Sequence, residues 1–123
     1  MNILVVDDSP VARKIVRRCL SVAGFGDAEI AEAGDGVEAM ALLRQSIPDL
    51  VLTDLNMPRM DGVELMCRVR ASPRLHEVPM IVISSLVENN KQRELLSRGA
   101  AHLLPKPVSP ARLGQCIRDV MGG

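Results

Sequence analysis

VVDDSPVARKIVRRCL, residues 5–20, carries a chain from one hydrophobic pattern into another across an acidic corner. Residues 3–6 form an unbroken aliphatic run, the mark of a strand buried on both faces. Beyond the corner, Val11, Ile15, Val16, Cys19, Leu20 and Ala23 recur at helical spacing, with Arg13, Lys14, Arg17 and Arg18 on the opposite side. Ser9-Pro10 fixes the start of that amphipathic helix, an N-cap followed by proline at the first helical position.

The same alternation continues through the chain. Residues 50–52, 80–83 and 103–104 are further short aliphatic runs, each followed by polar, Gly or Pro residues. Residues 28–33 alternate Ile30 with Glu29 and Glu32, a pattern that suits the edge of a sheet better than its centre. Between the runs, Val37, Ala39, Met40 and Leu43 mark a second helix, and Leu65, Met66 and Val69 a third that begins near Asp61-Gly62. Residues 89–98 are mostly polar, with Leu95 and Leu96 to bury and Gly99 as a stop, so this is expected to be the least anchored helix. Ser109-Pro110 repeats the capping device ahead of Leu113, Cys116, Ile117 and Val120. Strands alternating with helices over short connections specify an open α/β sheet, doubly wound and parallel, with five strands and five helices.

Length and composition agree with that reading and remove several function classes. The 123 residues are expected to form a single domain, residues 1–123, and 47% of them are hydrophobic while 15 Lys+Arg balance 15 Asp+Glu. Enough apolar surface can therefore be buried to exclude disorder. Zero net charge, a single Phe and no Trp or Tyr argue against nucleic-acid binding by this domain. No run approaches the ~18 apolar residues of a membrane span, and residues 1–6 lead into acid rather than a signal-peptide core, so a cytoplasmic protein without membrane insertion is expected. Cys19, Cys67 and Cys116 are unpaired in spacing and read as small hydrophobes, and His76 and His102 lack partners at metal-ligand spacing.

In open α/β sheets, ligands bind beyond the carboxyl ends of the strands. There this chain places Asp7-Asp8, Asp54, Ser84-Ser85 and the approach to Lys106. Carboxylates gathered at one point repel unless some hold a proton or a cation neutralises them. A hard divalent ion such as Mg²⁺ suits oxygen ligands and often shares its site with phosphate. The cluster thus points to phosphoryl transfer, with Asp54 offering one oxygen to the metal and the other to phosphorus, Lys106 neutralising charge, and Ser84 donating a hydroxyl. Ser85 would point to the other side of the strand.

V-V-D-D-S at 5–9, T-D-L-N-M-P-R-M-D-G at 53–62, I-V-I-S-S at 81–85 and K-P at 106–107 resemble the response-regulator receiver family of two-component signalling, and the match spans the chain. Asn56 and the M-P-R-M-D-G run are similar to CheY-like, chemotaxis-type receivers in particular. The resemblance implies a flavodoxin-like fold with strand order 2-1-3-4-5. It implies Asp54 as phosphoacceptor; Asp8, Asp54 and the Asn56 carbonyl as Mg²⁺ ligands; and Asp7 acting through metal-bound water. Ser84 takes the family's Ser/Thr switch position, Lys106 its lysine, and Pro107 the proline after a cis peptide bond. The implied donor is a histidine kinase or histidine phosphotransfer protein, and the implied output is a downstream protein effector. Three departures stand out. Leu103 occupies the place where many members carry a Tyr or Phe that swings inward, Pro105 stiffens the chain before the lysine, and Leu86 is aliphatic where some relatives are polar.

Competing readings meet specific residues. A phosphatase or mutase with an aspartate nucleophile needs a second carboxylate two residues on, as acid and base, and Asn56 can do neither. A binding module that has abandoned phosphorylation is expected to have lost Asp54, Lys106 or an acidic partner. A dinucleotide or flavin site would call for a Gly-rich turn where Asp-Asp-Ser-Pro stands. The chain stops at Gly122-Gly123 after its last helix, which suits a stand-alone receiver or a domain of a longer regulator.

Overall fold

A computed structural model describes residues 1–85 and 89–122. Leu86, the rest of the connection at 86–88, and Gly123 lie outside the described residues. The strands are β1 (Asn2–Val6), β2 (Glu29–Ala33), β3 (Leu50–Thr53), β4 (Met80–Ser84) and β5 (His102–Pro105). They pair in parallel in the order β2-β1-β3-β4-β5, with Val6 beside Ala33 on one side and Thr53 on the other. The helices are α1 (Pro10–Leu20), α2 (Gly36–Gln45), α3 (Gly62–Ala71), α4 (Asn89–Ser97) and α5 (Pro110–Val120). None among the described residues is long and apolar enough to cross a membrane.

Because side chains alternate along a strand, each aliphatic run feeds two cores. Leu4, Val6, Val51, Met80 and Val82 pack with Leu43, Leu65, Met66, Val69 and Leu95 on the face covered by α2, α3 and α4. Ile3, Val5, Leu50, Leu52, Ile81 and Ile83 pack with Val16, Cys19, Leu20, Leu113, Cys116 and Ile117 on the face covered by α1 and α5. The expected strands and helix starts are present, and the hydroxyls of Ser9 and Ser109 accept from the N–H groups of Ala12 and Arg112 as caps. β2 does lie at an edge, as its alternation suggested.

Several expectations about helix faces need correction. Val11 (66% exposed), Ile15 (49%) and Val37 (40%) stand outside the cores, and Leu96 (49%) does not share the burial of Leu95. Arg13 leaves the solvated face, because its guanidinium turns inward to Glu32 and to the Asp7 carbonyl. After Leu20, α1 runs into one wider turn, Ser21–Phe25, released by Gly24 at φ 102°. Pro105 sits inside β5 rather than after it, and the edge position explains its tolerance, since a missing N–H there deprives no neighbouring strand.

Far from the strands' carboxyl ends, Arg70 of α3 ties three segments together. Its guanidinium donates to the carbonyls of Gly99 (3.1 and 2.7 Å), His76 (2.9 Å) and Val78 (2.6 Å).

Candidate functional site

The site lies where β1 and β3 end side by side. The Asp7 amide donates to the Ala33 carbonyl and the Asp54 amide to the Val6 carbonyl, each continuing the sheet by one residue past its strand. Both carboxylates are thereby projected from the same edge at the point where strand order reverses. Asp7 is buried, Asp54 half-buried and Asp8 exposed, and one carboxylate oxygen from each lies within 4.8 Å of the others. Lys106 reaches the group from beyond β5, its Nζ 3.1 Å from Asp7 Oδ2 and 3.6 Å from Asp54 Oδ2. The Lys106 amide donates to the Ser84 carbonyl at 2.9 Å, which brings the end of β4 to the lysine. Ser84 ends β4 and is buried, and Ser85, just past the strand, is exposed. Asn56 stands exposed two residues past Asp54. The peptide bond between Lys106 and Pro107 is cis, as expected.

Electrostatics set the carboxylates apart. Burial pushes the Asp54 carboxyl above its ordinary range, and the nearby charges of Asp7 and Asp8 add to this against the Leu55 N–H and Lys106. For Lys106, burial alone would lower the pKa, but the hydrogen bond to Asp7 and the charge of Asp54 outweigh it and hold the ammonium above its usual range. The lysine is thus a fixed cation against an acidic cluster that it does not fully neutralise. An all-oxygen donor set with one exposed member fits a hard divalent ion that retains several waters, and Mg²⁺ meets that description.

Residues that the sequence reading left without a part in the site build its walls. Arg13 Nη1 donates to the Asp7 carbonyl at 2.6 Å while its Nε pairs with Glu32 at 2.9 Å, so α1 holds the acidic corner from outside. The Thr53 hydroxyl donates to the Asp54 carbonyl at 2.9 Å. That carbonyl also lies against Gly62, where a Cβ would collide with it, so the start of α3 can close under Asp54 only as glycine. Asp35, nearly fully buried, caps α2 through the Glu38 N–H at 2.9 Å and receives Arg59 Nε at 2.7 Å. Asp35-Gly-Val-Glu38 has the spacing of an N-terminal cap and could have been read as one, whereas Arg59 carries no local signal at all.

Comparison with known proteins places these features in a family context. Residues 3–118 match the response regulator receiver domain. A chemotaxis protein CheY homolog of Campylobacter jejuni (strain 81-176) is 37% identical over 99% of this chain and 93% of its own length. Chemotaxis protein CheY1 of Helicobacter pylori (strain J99) is also 37% identical, over 99% of this chain and 98% of that protein. Among solved structures, the chemotaxis response regulator CheY4 of Vibrio cholerae superposes with a TM-score of 0.86 at 32% identity, covering 97% of each chain.

Proposed function

The chain belongs to the response regulator receiver family, and from that premise we propose that it is a phosphorylation-dependent signalling switch whose phosphoacceptor is Asp54. The observation that carries this reading is the convergence of Asp7, Asp8 and Asp54 within 4.8 Å, with Lys106 Nζ 3.6 Å from Asp54 Oδ2.

A carboxylate oxygen of Asp54 attacks phosphorus of a phosphohistidine, forming an O–P bond as the N–P bond breaks. The imidazole nitrogen keeps the bonding pair, and the ring leaves neutral with a proton on its other nitrogen. Lys106 offsets charge on the phosphoryl oxygens, and the Ser84 hydroxyl donates to one of them once the group is in place. Asp8, Asp54 and the Asn56 carbonyl would hold Mg²⁺, with Asp7 acting through bound water. When bound, the ion would supply positive charge in addition to that of the lysine. With Asn56 in place of an acid–base carboxylate, the acyl phosphate outlasts an enzymatic intermediate and serves as a signal rather than a turnover step.

The donor, a cytoplasmic histidine kinase or phosphotransfer protein on this reading, has a surface to meet. A groove of about 380 Å³ beside Lys106 is lined by Ala12, Ile15, Val16, Pro107 and Val108. Exposed Val11 extends the apolar surface of α1, which also carries the exposed Lys14 and Arg18. With Arg13 and Arg17 both paired to Glu32, this reduces the basic stripe read from the sequence to two outward cations. The output surface is α4 and β5, which presents an effector with no aromatic ring at Leu103.

Incubation with acetyl phosphate and Mg²⁺ followed by intact-mass measurement should show a single added phosphoryl group. Asp54→Asn should abolish it. An undiminished adduct on the variant would overturn the assignment.

A further inference from the structure

The loop from Asp54 to Gly62 is closed at its base by the Gly62 N–H on the Leu55 carbonyl, 2.9 Å. At its tip the Met60 N–H donates to the Pro58 carbonyl at 2.7 Å, which closes a three-residue turn centred on Arg59. Arg59 has φ 64°, the single non-glycine residue with positive φ among those described, and arginine has no side-chain device that favours the left-handed region. Strain of this kind persists only where surrounding contacts over-determine it.

Those contacts all come from the start of α2. Two nitrogens of the Arg59 guanidinium, Nε and Nη2, converge on Asp35 Oδ2 at 2.7 Å each, and Nη2 also lies 3.7 Å from Glu38. The other Asp35 oxygen accepts from the Glu38 N–H, so both oxygens of the carboxylate are engaged. Beside it the Gly36 N–H donates to the Met60 carbonyl at 2.9 Å, and a Cβ on Gly36 would lie 2.8 Å from that oxygen. Neither Asp35 nor Arg59 touches the acidic cluster. The segment they clamp begins at the phosphoacceptor and carries Asn56.

We propose that Arg59 is a positioning residue: its ion pair with Asp35 latches the tip of this loop to α2 and thereby sets the affinity of the site for Mg²⁺. The inference rests on the proposed role of Asp54 and the Asn56 carbonyl. Without the latch the tip of the loop is tied to α2 only by the Gly36 N–H on the Met60 carbonyl, and the carbonyl at 56 is no longer held in one place. Metal affinity then falls by the fraction of time the loop spends elsewhere.

The test uses Mg²⁺ alone, titrated by calorimetry because the chain has no Trp or Tyr to report binding. Arg59→Gly removes both strain and latch, Arg59→Asn tolerates the turn without the latch, and Arg59→Lys keeps a charge for Asp35. The first two should weaken Mg²⁺ binding about tenfold, and the lysine variant should recover part of the loss. In metal-free protein, amide exchange at residues 56, 57, 59 and 60 should rise in the same two variants. If Arg59→Gly and Arg59→Asn match the parent in affinity and differ only in urea midpoint, the ion pair is merely structural and the latch is wrong. If the parent itself binds no Mg²⁺, the functional reading and the latch fail together. Parental binding with unchanged variants removes the latch alone.

Discussion

Asp35 shows how one carboxylate can do two jobs and how pH can separate them. Burial pushes its carboxyl up, yet the Glu38 N–H and the Arg59 guanidinium outweigh burial and hold it below the ordinary range. A folded-state pKa below the unfolded one contributes stability that is fully present above the unfolded value and is lost as pH falls through the folded value. Asp35→Asn keeps an acceptor for the Glu38 N–H but discards the charge. Because Arg59 is 57% exposed, solvent screens the pair, and the parent should exceed the variant by about 1 kcal/mol or less at neutral pH. In urea unfolding that gap should be flat near neutrality and close below about pH 4. A gap independent of pH would show that the charge contributes nothing. At this scale, legibility in the sequence follows locality. Asp7, Asp8, Asp54 and Lys106 stand out as polar residues after aliphatic runs, whereas the partner of Arg59 is 24 residues away and its backbone conformation leaves no trace in residue type.

Among the elements, α4 separates what periodicity reveals from what it leaves ambiguous. The sequence identifies it as polar and poorly anchored, but adjacent Leu95 and Leu96 both qualify as anchors. Successive helical residues point about 100° apart, so spacing alone does not say whether the buried face takes in both or only one of them. The structure buries Leu95 completely and leaves Leu96 at 49%. Leu95→Ala should therefore cost about 2–4 kcal/mol and Leu96→Ala less than about 0.5 kcal/mol in denaturant unfolding. Comparable losses would mean that α4 is rotated from this orientation. The same ambiguity explains the misassigned Val11, Ile15 and Val37, whereas continuous strand runs left no such choice because both faces of the sheet are covered.

Across the whole molecule, the alternation of strands and helices announced the doubly wound sheet, and the convergence of carboxyl ends announced the site. Strand order came from family resemblance, because no local pattern states which strand lies beside which. The order β2-β1-β3-β4-β5 puts β1 beside β3 and so sets Asp7-Asp8 and Asp54 past the ends of adjacent strands. The tie made by Arg70 carries a mechanical consequence. By gripping the Gly99 carbonyl together with those of His76 and Val78, one guanidinium pins the far end of α4 to the body of the protein, and Leu95 seats that same end in the core. The helix is thus hung like a gate, with its post at the carboxyl terminus and its other edge toward Ser84. At 1.5 Å per residue, Asn89 lies about 9 Å along the axis from Leu95, so a swing of about 10° would move that edge by roughly 1.5 Å and the post hardly at all. Amide exchange with and without beryllofluoride, a phosphoryl mimic, should change in a gradient that is largest near residues 89–92 and vanishes by 97–100. Arg70→Ala should flatten that gradient, because a gate without its post shifts bodily instead of turning.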